Sequence, residues 1–182
     1  MNPDRNETAR GHDAPGTVRI VGIDPGLAAT GVGIVRGSGH RIQSCSHTSI
    51  SSSPKDSLPD RLNVIFSRVR DILDAEKPHL MVIEDIFSNR AHPASGITLG
   101  KVTGVILLAG RRAGVPVLEV PAREAKKVIT GNGAATKSQM ELSVRRILSL
   151  KKPIRPHHAA DAMGMSLMGF YRYGPAIARA AS

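Results

Sequence analysis

One cysteine, no tryptophan, two tyrosines and three phenylalanines are spread over 182 residues. A lone Cys45 excludes both a disulfide framework and a thiolate metal cluster, and it reads as a small strand or core residue of a reducing compartment. With aromatic residues at 3%, base stacking cannot be the main grip on a nucleic acid, so any such contact leans on phosphates. Long apolar runs are missing too: "VTGVILLAG" is too short to cross a membrane and is bounded by Lys101 and Arg111. The leader "MNPDRNETARGHDAPG" lacks the apolar centre of a secretory signal, and its Asp4, Glu7 and Asp13 do not suit an organelle transit peptide. Residues 1–16 read as a disordered tail. Acids are the scarcer charge, 15 against 25 Lys and Arg, which leaves a net charge of +10. A surface this basic suits a polyanion, most simply a nucleic acid.

What is present is enough for one domain: 41% of the residues are hydrophobic. "VRIVGID", "ATGVGIVRG" and the alternating "HRIQSCSHTSI" read as three successive strands, with Pro25 and Gly26 in a tight turn after the first. Leu62, Ile65, Phe66, Val69, Ile72 and Leu73 recur at helical spacing up to Pro78. "HLMVIED" and "VPVLEV" are two more strands, with a helix between them from about Ser95 to Arg112. "AREAKKVIT" is helical, Thr136 and Gln139 form a capping box for the next helix, and a last helix runs from about Pro156 to Tyr171. This order predicts an α/β domain over residues 17–173, a mixed five-stranded sheet flanked by helices, followed by a C-terminal tail over 174–182.

Asp24 and Glu84 each close a hydrophobic strand. If those strands are parallel neighbours, both carboxylates emerge at the end of the sheet where open α/β folds bind ligands. Asp161 lies near the start of an apolar helix and shares a face with His157 and His158, four and three residues before it. Carboxylates gathered in this way repel one another, and a divalent cation removes the repulsion; hard oxygen donors suit Mg²⁺ or Mn²⁺. Two such ions can activate a water and stabilise a leaving oxygen on phosphate. Asp85, next to Glu84, should point to the opposite face.

"GIDPG…TGVGIV", "VIEDIF", "AREAKKVITGNGAATKSQ" and "HHAADAMGMSL" stand in the order and spacing of the RuvC family of Holliday junction resolvases, and the chain resembles that family from Arg19 to about Phe170. The resemblance implies a fold similar to ribonuclease H, a homodimer, and Mg²⁺-dependent cleavage of two opposed strands at a four-way DNA junction in recombination and repair. It implies two ions per active site, with Mn²⁺ a possible substitute, and no membrane partner. A branch-migration helicase complex as partner, and work in the cytoplasm on nucleoid DNA, follow from the same likeness. Position by position, Asp24, Glu84 and Asp161 match catalytic acids. His158 stands where many members have Asp and others His, as a metal ligand or a group that handles a proton near the leaving oxygen. Phe87 matches an aromatic that stacks on a base near the junction centre, and Lys126 and Lys137 match basic residues used against DNA.

Arg111, Arg112, Arg123, Lys127, Arg145, Arg146, Lys151 and Lys152 read as a wider phosphate-binding surface. Gly96, Gly100 and Gly104 lie one helical turn apart, a smooth stripe for close packing within the chain or, as the resemblance implies, between two copies. Two rival readings stand beside this one. "GNGAATKS" approaches a phosphate loop, but Thr136 replaces its second glycine and a helix precedes it. A junction-binding protein without catalysis is the other rival, and the retained acids argue against it.

Overall fold

The computed structural model describes residues 16–85 and 93–180. Five strands, β1 (Thr17–Asp24), β2 (Ala29–Ser38), β3 (Arg41–Ser51), β4 (Leu80–Glu84) and β5 (Val117–Val120), form one sheet in the order β3-β2-β1-β4-β5. The first three are antiparallel, as short connections allow, and β4 and β5 run parallel to β1. Helices α1 (Leu58–Glu76) and α2 (Pro93–Arg112) cover one face. The other face carries α5 (His157–Ala180), with α3 (Ala122–Thr130) and α4 (Lys137–Ile147) packed against it.

Both faces of β1 and β4 are covered, which is why these strands are continuously apolar rather than alternating. Their side chains still divide by parity. Val21, Ile23, Met81 and Ile83 enter the core under α1 and α2, while Val18, Ile20, Leu80 and Val82 enter the core under α5. Local signals hold the helix ends. Ser57 caps α1, Lys77 closes it in a left-handed conformation ahead of Pro78, and the Thr136–Gln139 capping box starts α4 at Lys137.

Near its start, helix α5 lies so close to β1 and β2 that the strand positions directly beneath its backbone leave no room for a side chain. A Cβ at Gly22 would come 2.2 Å from the Ala162 carbonyl oxygen, and one at Gly31 would come 2.0 Å from that of His158. The helix also continues to Ala180, past the Tyr171 at which the pattern ended it, so the tail expected from 174 is helical as far as 180. Pro175 removes one donor, but Ile177 and Ala178 still pack on the core, and that burial holds the last turns.

Candidate active site

Asp24 and Glu84 end β1 and β4, whose parallel register sets Ile23 beside Ile83. The next residue on each strand is the carboxylate, so the two emerge side by side. By parity Asp24 follows Gly22 and Glu84 follows Val82, and both therefore face α5. The start of α5 completes the rim. His158 Nδ1 lies 2.7 Å from Asp24 Oδ2, and one helical turn on, Asp161 Oδ2 accepts a hydrogen bond from Lys137 Nζ at 2.9 Å. The capping box puts Lys137 there, although a cation in a helix's first turn opposes the dipole.

Burial pushes the Glu84 carboxyl up to about 7, and the negative charges of Asp24 and Asp161 add to the shift while Lys137 and Lys126 oppose it. Burial also raises Asp24, against the hydrogen bond from His158, and Asp161 raises it further. Lys137 is raised chiefly by its hydrogen bond to Asp161. Three acids thus share one field, two of them poorly solvated, and that is the condition a divalent cation relieves. Among the described residues no three His, Cys, Asp or Glu side chains already close around a single point. Asp24 and Asp161 are each turned to a nitrogen donor instead, as mutual repulsion dictates. The donor set of carboxylate oxygens with one imidazole fits Mg²⁺ or Mn²⁺.

The sequence-predicted residues divide. Asp24, Glu84, Asp161, His158, Lys137 and Lys126 come together in geometry or in mutual charge. Phe87 lies outside the described residues. His157 does not face the acids; its ring nitrogens meet the guanidinium of Arg155, a residue the reading of the sequence passed over. Arg145 is not a free surface cation either. It donates to the Lys151 carbonyl oxygen at 2.8 Å and lies 3.8 Å from Glu141, so it braces a loop. Arg111 and Arg112 end α2 just before the chain re-enters β5 at the opposite end of the sheet, far from the carboxylates. The phosphate-loop rival fails, because the element before "GNGAATKS" is helix α3.

A mixed sheet in this order, with acids on adjacent central strands and a third on the helix crossing them, defines the ribonuclease H-like class of nuclease folds. Residues 20–168 match the family model for crossover junction endodeoxyribonuclease RuvC, and the chain belongs to that family. The crossover junction endodeoxyribonuclease RuvC of Carboxydothermus hydrogenoformans is 36% identical over 157 residues, 86% of this chain and 98% of that protein. The RuvC of Rhodopirellula baltica is 40% identical over 152 residues, 84% of this chain and 85% of its own. Among solved structures, Thermus thermophilus RuvC in complex with a Holliday junction substrate superposes with a TM-score of 0.80 at 30% identity, covering 87% of this chain and 96% of that one.

Proposed function

We propose that this protein resolves four-way DNA junctions by hydrolysing one phosphodiester bond in each of two opposed strands. Asp24, Glu84 and Asp161, with His158, are the residues that would hold Mg²⁺, or Mn²⁺ in its place, at two ions per site. The observation that carries this reading is the meeting of Asp24 and Glu84 on neighbouring parallel strands, on the face crossed by Asp161. When bound, the ions supply an activated water and charge stabilisation at the leaving oxygen.

The chain's own groups do the rest. With Asp24 accepting from Nδ1–H, the Nε2 of a neutral His158 carries a lone pair, available to hold a metal or to take a proton near the reacting phosphate. Lys137 and Lys126 bring positive charge to the carboxylate rim, where a DNA phosphate must come close to acids that would repel it. Phe87 follows β4 in the chain and is assigned the stacking role on a base near the junction centre. The partner copy docks on the outer face of α2. Ile97 and Leu108 stand 66% and 48% exposed there, and a Cβ at Gly96 or Gly104 would meet nothing within 4 Å among the described residues. A two-fold dimer presents two active sites to a junction that has its own two-fold symmetry. Junction DNA of the nucleoid places the work in the cytoplasm, beside a branch-migration helicase complex.

A synthetic four-way junction with Mg²⁺ or Mn²⁺ tests the reading. Wild type is expected to cut opposed strands and to leave linear duplex intact. Asp24→Asn is expected to bind the junction but to cut about a thousandfold more slowly. Cutting by Asp24→Asn at the wild-type rate would overturn the metal site, and binding with no cutting by wild type would leave only a junction-binding protein.

A further inference from the structure

From Leu142 to Ala160 the chain carries five Lys and Arg and no acid. Arg145 is engaged in bracing the loop that leaves α4. That loop returns from the far end of α4 to the carboxylate rim, and Arg155 stands where it arrives. Ile154, only 2% exposed, anchors the backbone in the core one residue earlier. Pro153 and Pro156 restrict the chain on either side. The guanidinium of Arg155 is exposed, and its Nη1 lies 3.2 Å from His157 Nδ1 and against His157 Nε2 as well. A guanidinium can only donate, so a neutral His157 ring meets it with a lone pair. Among the described residues no carboxylate lies within ion-pair distance of Arg155. The residue after His157 is His158, bonded to Asp24. A steadied cation with no carboxylate partner among the described residues therefore precedes by three positions the His158 that bonds Asp24.

We infer that Arg155 is a positioning residue, steadied by His157, which grips a phosphate flanking the scissile one on the strand being cut. The inference rests on the nuclease reading and adds a contact to it. The fork of a guanidinium matches two phosphate oxygens and fixes their direction, which an ammonium cannot do. By holding the neighbouring phosphate, Arg155 sets the register of the reacting one against Asp24 and Glu84, and small errors in such placement are costly in rate.

Single-turnover cutting of pre-bound junction, by wild type, Arg155→Ala, Arg155→Lys and His157→Ala, tests this. Junctions carrying one methylphosphonate at each flanking position in turn complete the experiment. Arg155→Ala is expected to cut about tenfold more slowly, while its salt slope for binding falls by about one phosphate contact. Arg155→Lys recovers only part of the rate, and His157→Ala falls between wild type and Arg155→Ala. At one flanking position the neutral phosphonate slows wild type by a similar factor and slows Arg155→Ala no further. If Arg155→Ala cuts at the wild-type rate, or if its loss multiplies with that of the phosphonate at every position, the role is overturned. Arg155→Lys guards against a mere folding defect, since its thermal midpoint is expected to stay at the wild-type value. Failure of wild type to cut the unmodified junction would overturn the nuclease reading itself, and this role with it.

Discussion

Glu84 ends an apolar strand with its carboxyl pushed up to about 7, first by burial and then by Asp24 and Asp161. In the unfolded chain it ionises near 4.5, so between roughly pH 4.5 and 7 the native state holds a proton that the unfolded state has lost. Without metal, this group therefore makes stability fall as pH rises through that window. Glu84→Gln removes the burden. In chelator at pH 8 the variant is expected to be more stable than wild type by on the order of 2 kcal/mol, with no gain at pH 4. Thermal unfolding at the two pH values checks this, and an equal shift at both would contradict it. The same proton competes with a cation, so Mn²⁺ affinity measured by titration is expected to weaken as pH drops below 7. At this scale Asp24, Glu84 and Asp161 were legible from their places in the sequence. Arg155 was not, because a lone arginine between two prolines has no pattern until a neighbouring ring is seen to hold it.

The element that decides the site is α5. Two turns of its backbone lie against β1 and β2, and they can do so only where the strands carry glycine. At Gly31 a methyl group would sit 2.0 Å from the His158 carbonyl oxygen, so Gly31→Ala must lift the start of the helix, and His158 and Asp161 with it. The variant is expected to lose about 1–3 kcal/mol of stability and far more cutting activity than that loss explains. Retained wild-type turnover in a protein with a lowered thermal midpoint would argue against the coupling. The succession of strands and helices along the chain and the α4 capping box could be read from local chemistry, since each is encoded within a few residues. The full length of α5 could not, because Gly174 and Pro175 look like a stop until Ile177 and Ala178 are found against the core.

Taken whole, the molecule carries +10 charges, and its binding to a junction is expected to weaken steeply as salt rises. The carboxylate rim is the exception in a cationic surface, and Lys126 and Lys137 bridge the two. The proposed dimer belongs to this scale as well. Introducing charge on the outer face of α2, as in Ile97→Glu with Leu108→Glu, is expected to give a monomer in sedimentation whose fold is unchanged, since neither side chain is in the core. Such a monomer is expected to lose the pairing of cuts in opposed strands. A dimer that persists would move the interface elsewhere.

The order of strands and helices, the basic surface and the three acids follow from the sequence alone, because alternation, capping and charge are local properties that neighbouring residues express directly. Tertiary structure alone decided which groups meet. The crossing of α5 over Gly22, Gly31 and Gly33 brings His158 to Asp24 across 134 positions of chain, Lys137 reaches Asp161 from the start of another helix, and His157 turns away from the acids to Arg155. Contacts of that kind depend on how closely backbones pack, a property no single stretch of the chain contains.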